Sequence, residues 1–132
     1  MKNPQWVLRE TALALHQRVV AEFGGMDGLR DEGLFDSALA RPQQIFAYGN
    51  PDPFTLAAAY ASGLVGNHPF MDGNKRIGFM TSVVFLELNG YRITASEVEA
   101  TLNTLALAAG ELSEAGYAAW LKANSRRSHR RE

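Results

Sequence analysis

Apolar positions along this chain recur mostly at intervals of three and four residues, the spacing of one helix face. Val7, Leu8, Thr11, Leu15, Val19 and Phe23 fall on one stripe, which predicts a helix over residues 4–22. Pro4 suits its first turn and Gly24-Gly25 its end, with His16 near the stripe as a partly buried packing residue or, alternatively, a contributor to a site. Asp31 followed by Leu34, Phe35, Ala38 and Leu39 predicts a capped helix over residues 31–40, closed by Arg41-Pro42. Residues 43–53 read as irregular or briefly extended, with Tyr48-Gly49-Asn50-Pro51 as a turn. An alanine-rich helix is expected over residues 53–67, where small side chains allow close packing. The next, over 74–88, is apolar nearly all round and therefore buried, and Asn89-Gly90 stops it. Residues 91–93 form a short connector. Ser96 and Glu99 make a capping-box pattern for a helix over 96–109, and a last helix over 113–123 turns Tyr117, Trp120 and Leu121 inward. The implied fold is all-α, about six helices around one buried central helix.

Length and composition narrow the class. A chain of 132 residues, 46% hydrophobic and 20% charged, fits one soluble domain spanning 1–132, without internal repeat or linker. A net charge of -1 supplies no global field for nucleic acid. The absence of cysteine excludes a disulfide framework, a thiolate nucleophile and a Cys-based zinc site, and suits the cytoplasm. Residues 1–6 lack the pattern of a signal peptide, and the apolar stretch 77–88 is too short to span a membrane. Residues 124–132 read as a frayed basic tail, with contact to RNA, DNA or an acidic partner as the alternative for Arg126 to Arg131.

Between the two central helices lies Asn67-His68-Pro69-Phe70-Met71-Asp72-Gly73-Asn74-Lys75-Arg76. A polar turn between buried helices is costly unless its groups find partners or a ligand. Pro69 biases His68 away from the helical region, so the upstream helix ends at 67 or 68. Asp72-Gly73-Asn74 has turn chemistry, and the amides that open the next helix lack intrahelical partners. Such a helix start favours anions, and Lys75 and Arg76 add charge and donors. The pattern reads as a phosphate cradle made by Gly73, Asn74, Lys75 and Arg76. His68 stands across the loop as a candidate base, and Asp72 is placed to hold a hard cation such as Mg²⁺.

The run His68-Pro69-Phe70-Met71-Asp72-Gly73-Asn74-Lys75-Arg76 resembles the signature H-P-F-x-[D/E]-G-N-[G/K]-R of the Fic/Doc superfamily, and its Asn-Lys-Arg ending resembles the Doc (death on curing) toxin branch. The similarity extends to residues 25–34 and 37–42. It implies a Fic/Doc-like domain and a transferase using ATP and Mg²⁺: the toxin of a type II toxin–antitoxin system, phosphorylating a protein hydroxyl, with elongation factor Tu as the family target. It also implies a Phd-like antitoxin, operator DNA reached only through that antitoxin, a monomeric free toxin, and a target-positioning flap within residues 41–52. For that segment an ordinary packed connection is the alternative. The self-inhibitory motif [S/T]-x-x-x-E-[G/N] of Fic proteins is absent, which leaves inhibition to a partner. The alternatives are an AMP-transferase and a non-catalytic antitoxin-binding co-repressor. Fic AMP-transferases have glycine where this chain has Lys75 and a second arginine where it has Phe79, and both departures favour transfer of the γ-phosphate.

Overall fold

Nine of the fifteen residues of the alanine-rich helix are buried, and the rest of the chain wraps it. The computed structural model describes residues 3–128. Its elements run α1 (Arg9–Phe23), α2 (Glu32–Ala47), α3 (Pro53–Asn67), α4 (Asn74–Leu88), β1 (Tyr91–Ile93), α5 (Glu97–Ala108), α6 (Glu114–Ala123) and β2 (Ser125–Arg127). α3 touches α2, α4, α5 and α6, so it is the central helix, more deeply enclosed than α4. Its alanines let backbones approach from several sides. A Cβ on Gly78 of α4 would stand 2.8 Å from Val65 Cγ2 and 3.2 Å from the Ala61 carbonyl oxygen, and one on Gly63 of α3 would stand 3.3 Å from Ala38 Cα of α2. Both junctions are therefore spaced for glycine. None of the helices among the described residues is long and apolar enough to cross a membrane.

The caps fall where the polar pattern places them. Asp52, Ser96 and Ser113 accept from the amides of Thr55, Glu99 and Gly116, and Ser96 with Glu99 completes the capping box. Several expectations need correction. α1 begins at Arg9 rather than in residue 4's turn, because the preceding segment has tertiary partners for its backbone. Gln5 exchanges hydrogen bonds with the Asn89 amide, Val7 N–H donates to the Tyr60 hydroxyl at 3.0 Å, and Trp6 stacks on Phe85. The buried face of α1 is Ala12, His16 and Val19, while Leu8 and Phe23 are exposed.

α2 does not close at Arg41-Pro42 but runs through Pro42 to Ala47. Proline forfeits one helical hydrogen bond. Ile45 and Phe46 pack on the core beyond it, which favours continuing the helix. This takes residues 41–47 out of any flap and leaves 48–52 as a connection. The expected connector at 91–93 and the start of the expected frayed tail pair as an antiparallel ribbon, Tyr91 opposite Arg127 and Ile93 opposite Ser125. Arg127 donates to the Tyr91 hydroxyl at 3.0 Å and lies over its ring. Residues 129–132 of the tail lie outside the described residues.

Candidate active site

The loop 68–73 joins α3 to α4, and a second segment, residues 24–31, is bonded to it as a strap. Leu29 and Phe70 form an isolated antiparallel bridge. Arg30 N–H and Asp31 N–H both donate to the Pro69 carbonyl, at 2.6 and 3.0 Å, and Met71 N–H donates to the Gly28 carbonyl at 3.0 Å. Met26 N–H donates to Asp72 Oδ2 at 2.6 Å. These bonds give the polar loop the partners it needs without burying it in a helix or sheet.

His68 ends α3 in the left-handed region, φ 53 and ψ 52, the sole non-glycine positive φ among the described residues. It leaves the right-handed region as Pro69 requires, although not for the extended region that proline ordinarily favours. Its N–H donates to the Leu64 carbonyl at 3.1 Å. The guanidinium of Arg30 grips the two carbonyls around it, Nε to His68 O at 2.8 Å and Nη2 to Asn67 O at 3.0 Å.

Phe70 is fully buried between the ring of His16, 3.7 Å away and nearly parallel, and the edge of Phe35. Its main chain is clasped by Asn74, whose Oδ1 accepts from Phe70 N–H at 2.9 Å and whose Nδ2 donates to Phe70 O at 3.0 Å. The side chain of Asn74, expected among the phosphate ligands, is thus committed to holding the loop; its backbone amide is what remains for a ligand. His16 proves fully buried, and its Nε2 lies 2.8 Å from the Asp72 carbonyl oxygen. A carbonyl only accepts, so Nε2 carries the proton.

Gly73 caps α4 with φ 80, and a Cβ there would press on Val19 Cγ1 at 3.3 Å. Among the described residues the amides of Gly73, Asn74, Lys75 and Arg76 donate to no protein acceptor, and the first intrahelical bond is Ile77 N–H to Gly73 O at 2.9 Å. The two cations diverge from this point. Lys75 lines a cavity of about 550 Å³ with His68, Val65, Leu102, Leu105 and Glu111, whereas the Arg76 guanidinium lies 4.1 Å from the centroid of the Phe23 ring. A second cavity of about 680 Å³ lies at residues 41–51, remote from the loop, and the one cation there, Arg41, is paired with Glu114 at 2.8 Å. Of the site residues expected from the sequence, His68 and Lys75 line the smaller cavity.

Open amides at a helix start with two flanking cations fit the phosphates of a nucleotide. No group of three His, Asp or Glu among the described residues could hold a metal by itself. Asp72 keeps one carboxylate oxygen beyond the bond to Met26, which fits Mg²⁺, a cation commonly shared between one or two carboxylates, substrate phosphates and water. Arg30, Phe23 and the Met26 amide are absent from the sequence-based site, and His16 enters it only as an alternative. Each depends on a partner distant in sequence, and the similarity of residues 25–34 to the superfamily was a signal for Arg30 and Met26 alone.

The fold and the motif loop together are those of one family. Its profile, that of the Fic/DOC family, matches residues 6–86, and the chain belongs to that family. Its Doc branch is the nearer one: the chain is 32% identical over 114 residues to "Protein kinase doc" of Escherichia phage P1, covering 86% of this chain and 90% of that protein. It is 42% identical over 76 residues to "Toxin Doc" of Mycolicibacterium smegmatis, covering 55% of this chain and 58% of that protein.

Proposed function

We propose that this protein is a Doc-like toxin that transfers the γ-phosphate of ATP to a hydroxyl of a protein target, with elongation factor Tu as the candidate target and blocked translation as the outcome. The observation that carries the reading is the juxtaposition of His68 and Lys75 in one cavity at a helix start whose amides are open. A relative named as a protein kinase supports the choice of reaction. His68 takes the proton of the attacking hydroxyl, an imidazole being the side chain suited to that exchange near neutral pH. The hydroxyl oxygen bonds to the γ-phosphorus, the bond from that phosphorus to the bridging oxygen breaks, and ADP leaves with the electron pair. The amides of residues 73–76, with Lys75 and Arg76, hold the phosphate oxygens and balance their charge, the larger part of catalysis in phosphoryl transfer. Mg²⁺, which Asp72 would help hold, supplies further neutralisation of the phosphates.

Transfer from the γ-position rather than the α-position is favoured by Phe79, which faces Trp120 with ring centroids 6.3 Å apart. An apolar contact stands where AMP-transferases carry an arginine fork. A Phd-like antitoxin would mask the site by covering the apolar wall that α5 lends the cavity, Leu102 and Leu105, both substantially exposed. The test uses ATP labelled at the γ- or the α-phosphate, with Mg²⁺, purified protein and elongation factor Tu. Label from the γ-position alone is expected on the target. Label from the α-position alone would replace the kinase with an AMP-transferase, and no label on any target would favour the co-repressor reading.

A further inference from the structure

His68 is held in a backbone conformation that a side chain adopts reluctantly, at a position where the following proline favours another. Such a conformation is costly and persists only where the surroundings impose it. The φ and ψ of one residue are the rotations between the two peptide planes that flank it. For His68 those planes carry the carbonyls of Asn67 and His68, and both carbonyls accept from one guanidinium. A guanidinium is planar and rigid, so a single group that grips both oxygens fixes the angle between the planes. We infer that Arg30 is a positioning residue for the transfer step: its fork sets the two torsions of His68 and so aims the imidazole into the cavity beside Lys75.

The main chain of the strap is attached independently of this fork. The amides of Met26, Arg30, Asp31 and Met71 keep their own acceptors when the guanidinium is removed. Loss of the side chain therefore releases the planes around His68 and leaves the loop tied. A lysine keeps the charge at the end of α3 but has a single nitrogen on a flexible stem, and cannot hold two carbonyls at a set angle. Helix-end charge alone and the fork are thereby separable.

The inference rests on His68 as the base, and its test has one arm that does not. Arg30→Lys and Arg30→Gln are made in the full chain, and unfolding is followed by heat to confirm a cooperative transition. Backbone NMR shifts of His68 report its conformation without any substrate; they are expected to leave the left-handed values in both variants. In the transfer assay kcat is expected to fall about a hundredfold in both, the scale of a misplaced reacting group, while KM for ATP is unchanged. Left-handed shifts retained in Arg30→Gln would overturn the inference, as would a wild-type kcat in Arg30→Lys. If the wild-type protein transfers nothing to any target, the functional proposal fails, and the NMR arm alone decides what Arg30 does to His68.

Discussion

Replacing Asn74 with alanine removes both bonds to the Phe70 main chain at once. Asn74 and Phe70 are buried, at 3% and 1% exposure, so the released N–H and carbonyl have little access to water. A buried polar group left without a partner costs about 1–3 kcal/mol, so the pair should cost about 2–6 kcal/mol. Domains of this size have about 5–15 kcal/mol in total, which makes this a large fraction. Urea unfolding followed by fluorescence of Trp6 and Trp120 measures it. With a slope of about 1–3 kcal/mol per molar, the midpoint should fall by about 0.7 M or more. Asn74→Asp tests the donor half separately. It keeps an acceptor for Phe70 N–H but sets a carboxylate oxygen against the Phe70 carbonyl. The carboxyl is then favoured protonated in the fold, so the variant should be more stable below the usual carboxylate pKa and weaken as pH rises. A loss under about 1 kcal/mol in Asn74→Ala would refute the clasp, since that is the smallest cost of even one stranded group.

Three further outcomes follow from the same geometry. Burial pushes the phenols of Tyr60 and Tyr117 up to about 12, against some lowering by the bonds to Val7 N–H and Thr104. The stability this represents is intact below pH 10 and is lost as pH rises from 10 to 12, by about 2–3 kcal/mol per tyrosine; Tyr60→Phe should remove half of that fall in alkaline unfolding, and a pH-independent midpoint would contradict it. Gly78→Ala gains about 1 kcal/mol of helix propensity but must displace Val65 and the Ala61 carbonyl at about 1–3 kcal/mol, for a net loss of up to about 2 kcal/mol that Val65→Ala in the same chain should partly recover; a stabilised single variant would show that α3 and α4 are not spaced for glycine. Asp72→Asn keeps an acceptor for Met26 N–H while removing the charge, so thermal stability should stay near wild type and Mg²⁺-dependent ATP affinity should fall at least about tenfold; unchanged affinity by calorimetry would leave the carboxylate without a metal role.

The Arg30 fork and the His16 contact share a physical role, although they act on opposite ends of the loop. Arg30 binds the carbonyls where α3 ends, and His16 binds the Asp72 carbonyl where α4 is about to begin. Between them Phe70 is fixed by ring packing and by the Asn74 clasp. The loop is therefore tied at both ends and in its middle, and the open amides at the start of α4 stand on that support.

Helix chemistry was legible in the residues wherever it is local. The bounds of α3 and α4, the Ser96–Glu99 capping box and the helix start at Asn74 follow from side chains within one turn of the feature they determine. The open amides at the start of α4 were likewise legible, because they arise from consecutive residues. What no local pattern carries is which polar groups the fold spends on itself. Asn74 reads as a phosphate ligand until Phe70 occupies both ends of its amide. Nothing local gives Arg30 a role until the chain returns 37 residues later to place two carbonyls before it. The start of α1, the passage of α2 through Pro42 and the pairing of residues 91–93 with 125–127 were decided the same way. In each case a backbone group or apolar side chain found a better partner far along the chain than its neighbours offered, and that choice exists only once the helices have packed.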